Sequence, residues 1–423
     1  MRLKILFLLA ATSLTMVSIE ALGQEIMPGY YQQTQCTASG DCGCSQCAAE
    51  PLRLLCDPAG CGSRNWVNVN FLYLRPDGYS VPNLVAGSPD GTPRERVGLL
   101  DDPATTNLLG NQRLADDWRP GLQIEFGRWL DDRGDKAITG SFFALGNGED
   151  SYTFPGDSNQ IVSRPFFNTD PTVNGFDAEL VNLPGVVDGN ITVATDSDIF
   201  SGNIGLQKKL CCCDDRCNGT ARRTDFFLGY RMFGADESLT ISEVLNPVGG
   251  ALIPAGTQFN LFDSFETRNR FHGVEFGLTN TWQKRRWTFG AAGKVALGNV
   301  NQRVRINGST TITVPNVAPI VQPIGILASS SNIGEFERDR FGVLTQAQLE
   351  IGYWVNNRTR IMVGYNAIYL NDAARPGDHI DLQVNGTQID PNIPDSGPSS
   401  PTFDWVSDGL YLHGFNAGFE FTF

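Results

Sequence analysis

Large apolar side chains alternate with Gly, Asn, Gln, Thr or charged residues in stretches of about nine to twelve residues that recur along the chain. In the first stretch Val67, Phe71 and Tyr73 share one face, and Asn68 and Asn70 share the other. This alternation predicts β-strands with one apolar face. The predicted strands cover residues 66–74, 122–129, 137–145, 199–208, 225–233, 272–282, 287–297, 343–354, 360–370 and 411–423.

The links between these strands alternate in length. Short links lie near residues 131–135, 209–223, 283–286 and 355–358, whereas the other links are much longer. Outer-membrane barrels show this asymmetry, with short periplasmic turns and long external loops. The predicted fold is therefore all-β, a closed antiparallel transmembrane β-barrel of about ten strands with both termini on the periplasmic side. A hairpin of residues 304–306 and 310–314 would raise the count to about twelve.

A soluble antiparallel sandwich also alternates with period two, so a secreted soluble β-protein is an alternative. Three features favour the barrel: a polar face rich in Gly, Asn and Gln, aromatic residues at strand ends, and a chain that ends on phenylalanine. The last strand places Phe419, Phe421 and Phe423 on one face. It resembles the signal read by the barrel assembly machinery, which is an expected partner along with outer-membrane lipid.

The N-terminus has the features of a secretory signal. Arg2 and Lys4 precede an apolar run over residues 5–17, and small residues precede Gln24. The predicted organisation is a signal peptide over 1–23, a Cys-rich periplasmic segment over 24–64 and an outer-membrane barrel over 65–423. The 46 acidic residues exceed the 32 basic ones, which disfavours a nucleic-acid partner.

The chain has 10 cysteines in two clusters. An oxidising compartment favours disulfides over a zinc site or an iron–sulfur cluster. Since both clusters are expected in the periplasm, a bridge between them could tether residues 24–64 to the 209–223 turn as a cap under the barrel. The disulfide candidates are Cys36, Cys42, Cys44, Cys47, Cys56, Cys61, Cys211, Cys212, Cys213 and Cys217.

From about residue 224 onward the sequence resembles the putative beta-barrel porin-7 family, outer-membrane proteins of planctomycete-type bacteria. The resemblance depends on the run Asp225-Phe-Phe-Leu-Gly-Tyr-Arg231, on positions from Asp263 to Gly273, and on Trp287 followed by Lys294-Val-Ala-Leu-Gly-Asn299. Residues 68–74 fit less sharply. The resemblance implies a barrel architecture and a location in the cell outer membrane, with no catalytic residues.

Ionisable residues on the predicted lumen face could set which ions pass. A packed, mutually neutralising charge network is the favoured reading, because a barrel of this size has little free interior. Two functions are therefore considered. One is a porin for passive diffusion of small solutes, and the other is a plugged barrel that acts through its acidic loops. Neighbouring Phe226 and Phe227 also place one phenylalanine in the lumen. The lumen candidates are Arg231, Glu275, Lys294, Glu350, Arg360 and Glu420.

Catalysis, cofactors and metals are not predicted. A hydrolase would need His272, His379 or His413 as its base, and His379 lies nearest to acidic residues, but no nucleophile motif accompanies it. The loops over 146–198 and 371–408 hold much of the surplus acid. Their spacing matches no calcium loop, so solvated acidic surface is favoured over divalent-cation binding. The acids singled out are Asp196, Asp198, Asp372, Asp378 and Asp381.

Overall fold

In the computed structural model, the described residues are Leu55 and residues 64–423 apart from 157–159, 216–218, 249–252, 389–393 and 395. They form strands, turns and three short 3-10 helices, Arg94–Arg96, Pro376–His379 and Gly386–Gln388. The strands are β1 Asn65–Pro76, β2 Tyr79–Val81, β3 Val85–Ser88, β4 Thr106–Leu109, β5 Gln112–Leu114, β6 Arg119–Trp129, β7 Lys136–Leu145, β8 Gly148–Pro155, β9 Ile161–Asn168, β10 Gly175–Asn182, β11 Val187–Asp215, β12 Thr220–Pro247, β13 Gln258–Lys284, β14 Trp287–Thr313, β15 Ile320–Gln322, β16 Gly334–Trp354, β17 Thr359–Ala373, β18 Gln383–Val384 and β19 Asp408–Thr422.

Ten strands pair in a closed antiparallel ring in the order β12, β13, β14, β16, β17, β19, β1, β6, β7 and β11, with β11 returning to β12. Each predicted strand lies within one of them, except that β19 ends at Thr422, one residue before the predicted end. The predicted short links all lie at one end of the ring, where Asn65 and Phe423 also exchange backbone hydrogen bonds of 2.9 and 3.0 Å. We call this end the short-turn end and the opposite end the long-loop end.

Five ring strands, β11, β12, β13, β14 and β16, run far beyond their predicted limits at the long-loop end. Residues 187–198 and 299–313, which the sequence analysis assigned to loops, are strand. Their alternation was missed because the outward positions become polar or charged there, as at Asp196, Arg303 and Arg305. The long connections are therefore shorter than predicted, and much of their length continues the wall of the ring.

The predicted hairpin of residues 304–306 and 310–314 is wrong. Both segments belong to the single strand β14, whose pairing with β13 is unbroken from Trp287 to Thr313. Asn307-Gly308 resembles a turn, but the glycine serves another purpose: a Cβ at Gly308 would lie 2.5 Å from the carbonyl oxygen of Ala328. Gly308 therefore allows the backbone at Ala328 to approach β14 closely. The ring has ten strands.

The space inside the long-loop end is filled by the chain itself. A sheet of β10, β9, β3 and β4, with β18 added parallel to β9, packs with the extended strands, and β2 pairs with β5. The shared core includes Leu84, Val162, Ile191, Leu239 and Phe265, all fully or almost fully buried. Burial of this apolar surface, at about 25 cal/mol per Å², holds the loops inside the wall.

Candidate functional site

The interior of the ring near the short-turn end is polar, as predicted. All six lumen candidates point inward, while neighbours such as Val295, Leu349 and Ile361 expose 42%, 60% and 51% of their surface on the outside. Arg360 lies 3.0 Å from Glu350 and 2.8 Å from Glu420. Arg360 is therefore shared between two carboxylates in this part of the lumen, and a fully neutralising network stays a prediction.

A second pair lies deeper in the lumen. Arg231, which is 2% exposed, donates to Glu275 at 3.2 Å and to Gln346 at 2.8 Å. Asn203 donates to the other oxygen of Glu275 at 2.9 Å. This cluster joins four strands, β11, β12, β13 and β16. Removing one member of the ion pair would leave a buried charge without compensation.

Lys294 stands apart from these pairs. Its ammonium lies 4.9 Å from the centre of the Phe227 ring, a cation–π distance. This contact accounts for the phenylalanine that the sequence placed in the lumen: Phe227 is 6% exposed and faces inward. Lys294 and Phe227 both line a cavity of about 200 Å³, together with Asn68, Glu125, Ser141 and Glu350.

Glu125 is a lumen residue that the sequence analysis did not single out. It accepts hydrogen bonds from Asn68 at 3.0 Å and from Gln123 at 2.9 Å. The signal that could have found it is parity, because Leu122, Ile124 and Phe126 alternate with it and face outward.

An apolar layer crosses the lumen above this polar region. Every ring strand except β6 contributes to it. On β12 the inward sequence runs Arg231, Phe233, Ala235 and Glu237, so two apolar positions separate two charged ones. The layer is buried, with Phe233 1% and Phe271 0% exposed. Its members are Leu72, Leu74, Phe143, Leu145, Ile199, Phe233, Ala235, Phe271, Ala296, Val300, Leu344, Ile368, Leu370, Ala373, Leu410 and Leu412.

Above the apolar layer, the segment that follows β17 is clamped inside the ring. Asn269 donates to the Ala374 carbonyl at 2.9 Å and accepts from the Ala374 amide at 2.8 Å. The next residue, Arg375, is 1% exposed and donates to both oxygens of Glu237 at 2.7 and 2.9 Å. It also lies 3.4 Å from Asp77. These contacts close the lumen a second time.

A further buried charge cluster lies in the filled long-loop end. Arg164, 1% exposed, donates to Glu243 at 2.7 Å and pairs with Asp263. Glu179 lies near this cluster. Its burial, followed by the negative charge of Glu243, raises the pKa of Glu179 to about 7, although Arg164 opposes the shift. The cluster holds more acid than one guanidinium neutralises.

The outer surface of the ring divides into two zones. On β13 the outward residues from Val274 to Leu278 are apolar and about half exposed, whereas Arg268 and Arg270 above them are charged. Aromatic side chains border the apolar zone, with Tyr73 stacked on Trp118 at 5.1 Å above and Trp287 against Tyr353 at 5.0 Å below. Aromatic girdles around an apolar band are typical of membrane barrels.

The predicted assembly residues belong to the lower border. Phe419, Phe421 and Phe423 face outward and expose 43%, 40% and 55% of their surface. Whether the assembly machinery reads them stays a prediction.

Two of the ten disulfide candidates are not bonded in this structure. Cys211 and Cys213 are free and exposed, near the C-terminal end of β11. Cys212, between them, takes part in a disulfide. Cys36, Cys42, Cys44, Cys47, Cys56, Cys61 and Cys217 lie outside the described residues. The predicted tether between the clusters stays a prediction.

Leu55 is placed at the short-turn end of the ring. Its carbonyl accepts from Arg223 at 3.3 Å, and Arg223 also donates to the Gly134 carbonyl at 2.7 Å and covers the Trp129 ring at 4.6 Å. Arg223 is 3% exposed and pairs with Asp225. These groups lie at the short-turn end of the polar region.

Each histidine contacts an aromatic side chain. His272 and His413 hydrogen-bond to Tyr230 at 2.5 Å and Tyr365 at 2.8 Å at the upper aromatic border. His379 is buried, with its Nδ1 donating to the Asp404 carbonyl at 3.2 Å. Burial, with the Arg338 charge as a smaller cause, lowers the pKa of His379 to about 4.

The acids assigned to solvated loops are more ordered than predicted. Asp196 and Asp198 lie within β11, and Asp372 accepts from Gln302 at 2.9 Å. Asp381 accepts from the backbone amides of Gln383 and Thr402, each at 2.9 Å. Asp378, in the 3-10 helix after β17, is half-buried. No group of three metal-ligating side chains occurs among the described residues.

No helix in the described ranges is long and apolar enough to cross a membrane. A closed antiparallel ring with an apolar outer zone between aromatic borders and a polar lumen defines the class of outer-membrane β-barrels. Residues 66–423 match the family described as Putative beta barrel porin-7, and the chain belongs to that family. The match begins at Trp66, the second residue of β1, and does not include the Cys-rich segment.

Comparison with solved structures returns outer-membrane proteins at low similarity. The outer membrane protease OmpT from Escherichia coli is 9% identical, with 85% of this chain and 97% of that chain covered and a TM-score of 0.38. A TodX monoaromatic hydrocarbon channel mutant is 11% identical, with 87% and 92% covered and a TM-score of 0.21. Scores this low carry no argument about function. No curated protein matches the chain.

Proposed function

We propose that this protein is a sealed barrel in the cell outer membrane that anchors and displays its folded long-loop end, a structural or surface-interaction role. The observation that carries the proposal is the buried apolar layer around Phe233 and Phe271, to which nearly every ring strand contributes. Water and ions do not cross a packed apolar layer, because leaving hydrogen-bonding partners costs several kcal/mol. The clamp of Arg375 on Glu237 gives a second closure above it.

The proposed location follows from the outer surface and from the family. Outer-membrane lipid would contact the apolar zone between the aromatic borders, and the charged outward residues of β13, β14 and β16 would stand above it. Export through the predicted signal peptide and recognition of the last strand by the assembly machinery are part of the proposal. We also propose that the protein is not an enzyme. In support, His379 is buried and bonded to a backbone carbonyl, and His413 is bonded to Tyr365.

Single-channel recording in planar bilayers tests the sealed barrel. The refolded protein, with folding checked by heat-modifiable mobility on a gel, is expected to give no stepwise currents. The triple variant Phe233→Ala, Phe271→Ala and Arg375→Ala loosens both the apolar layer and the clamp above it and is expected to give currents. The variant therefore shows that the assay would detect an opening.

The second candidate is a porin for passive diffusion of small solutes or ions, as the family name and the polar lumen suggest. On this alternative the wild-type protein would give stepwise currents. Substituting Lys294→Met together with Glu350→Gln would then shift their ion selectivity, since both side chains line the lumen cavity. Wild-type currents that respond in this way would reject the sealed barrel.

A further inference from the structure

The lumen cavity below the apolar layer carries two opposite charges on facing walls. Lys294 belongs to β14 and Glu125 to β6, and both line the cavity. In the ring, four strands separate β14 from β6 in either direction, so the two side chains approach from opposite sides. The strands hold them apart across the cavity.

Neither charge has an ionic partner of its own. Lys294 has the Phe227 ring at 4.9 Å, and no carboxylate of the described chain lies within ion-pairing distance of its ammonium. Glu125 accepts only neutral amide donors, from Asn68 and Gln123, within that same part of the chain. A half-buried charge without a counter-charge is partly desolvated, so each of these groups favours an opposite charge in the cavity.

The other charges at the cavity wall contact one another, although Arg360 carries one charge and its two partners carry two. Arg360 pairs with Glu350 and with Glu420. A simple anion bound at Lys294 would leave Glu125 uncompensated, and a simple cation bound at Glu125 would leave Lys294 uncompensated. An ion contact at each of the two positions therefore calls for one molecule that carries both signs.

The wall also offers an unused hydrogen-bond acceptor beside Glu125. Asn68 is 7% exposed, and its Oδ1 has no hydrogen-bond partner although its amide nitrogen donates to Glu125. An ammonium group at Glu125 has three donors and could also donate to this oxygen. The carboxylate end would meet Lys294.

We propose that this cavity binds a small zwitterion, with its carboxylate at Lys294 and its ammonium at Glu125 and the Asn68 oxygen. The volume of about 200 Å³ equals that of roughly seven waters in the liquid, enough for a short-chain amino acid with little solvent. The cavity lies on the short-turn side of the apolar layer, so a sealed barrel can still bind this ligand.

Titration calorimetry on the full refolded chain in detergent micelles tests the proposal, with glycine, acetate and methylammonium as probes. Glycine is expected to give a saturable heat, and the two singly charged probes to bind at least about tenfold more weakly, since each lacks one ionic contact. If no probe gives a saturable heat, the cavity holds only water. If acetate binds as tightly as glycine, Glu125 has no role in binding. Either result overturns the proposal.

Two variants assign the contacts. Lys294→Met and the nearly isosteric Glu125→Gln are each expected to weaken glycine binding by about tenfold or more. Lys284→Met, at an exposed site at the lower end of β13, and Glu335→Gln, at an exposed site on β16, serve as matched controls and are expected to bind glycine as the wild type does. Heat-modifiable mobility establishes that each variant is folded. Glycine binding that survives both lumen substitutions would contradict the assignment.

Discussion

Arg375 and Glu237 form a bidentate ion pair, with two hydrogen bonds of 2.7 and 2.9 Å, and each side chain is only 1% exposed. Arg375 comes from the segment after β17 and Glu237 from the wall strand β12. Burial lowers the pKa of Arg375, but the charges of Glu237 and Asp77 raise it by more, so the guanidinium stays charged. The pair fixes an inserted segment to the inside of the ring.

Replacing Arg375→Ala should loosen that segment and destabilise the protein. Glu237 would remain buried without a counter-charge, a change that costs about 3–5 kcal/mol for buried pairs. Denaturant unfolding of the refolded protein measures this loss. Arg303→Ala is the matched control, because its pairs with Glu335 and Glu337 are exposed and should be worth about 1 kcal/mol or less. Equal losses in the two variants would contradict the role given to Arg375.

Leu278→Arg should oppose membrane insertion. Leu278 faces outward, 45% exposed, midway between His272 and Lys284 on β13. An arginine near the middle of the lipid-facing surface costs about 2–4 kcal/mol. Unfolding in lipid vesicles measures the change. Ser242→Arg, on the outward face of β12 above the apolar zone, should change stability by no more than about 0.5 kcal/mol. A similar cost at both sites would place the lipid boundary elsewhere.

Ionisation of the Glu179 carboxyl should destabilise the long-loop end as the pH rises. Burial raises the pKa of Glu179 from 4.5 to about 7, so the folded state binds a proton more tightly than the unfolded state. Stability is therefore full below pH 4.5 and falls as the pH rises through about 7. The shift corresponds to about 3 kcal/mol at most, and partial solvent contact of this side chain reduces it to about 1–2 kcal/mol.

The comparison of Glu179→Gln with the wild type isolates this effect. Glutamine resembles the protonated acid, so the two proteins should have equal thermal midpoints at pH 4 and the variant should be the more stable at pH 8. The exposed substitution Glu335→Gln should show no such divergence. Curves for Glu179→Gln and wild type that stay parallel across this range would refute the assigned pKa shift.

Much of the ring could be predicted from sequence because its lipid-facing positions are local signals. Alternation of Phe71 and Tyr73 with Asn68 and Asn70 fixed both the strand and its faces, and the lumen side of Lys294 followed from the same parity. The upper wall was missed for the converse reason. Where outward residues such as Arg268 face water, the outer face no longer carries the apolar pattern that marks a strand.

The buried charges of the filled end could not be predicted, because burial there is created by distant segments. Arg164 meets Glu243 and Asp263 across three segments of chain, and nothing near Arg164 in the sequence marks it as buried. Charged residues in a long link are usually solvated. The separation of Lys294 from Glu125 likewise depends on ring order, which alternation does not specify.

His379 should make the segment after β17 sensitive to acid. Burial lowers the pKa of His379 to about 4 from 6.5, so the unfolded state binds the proton more readily. Stability from this group is full above pH 6.5 and is lost as the pH falls through about 4, to a total of about 3 kcal/mol. Protonation would also place a charge against the Phe403 ring, 5.5 Å away, and on an Nε2 that has no partner.

Hydrogen exchange over residues 374–388 and 400–407, followed between pH 7 and pH 4.5 and corrected for intrinsic rates, measures this loss. Protection in the wild type should fall with acidification. His379→Phe keeps the ring contacts with Phe403 and Trp405 but cannot bind a proton. The variant loses the bond to the Asp404 carbonyl, so it should be less protected at pH 7 and should then change little with pH. An acid response of equal size in both proteins would mean that another group controls this segment.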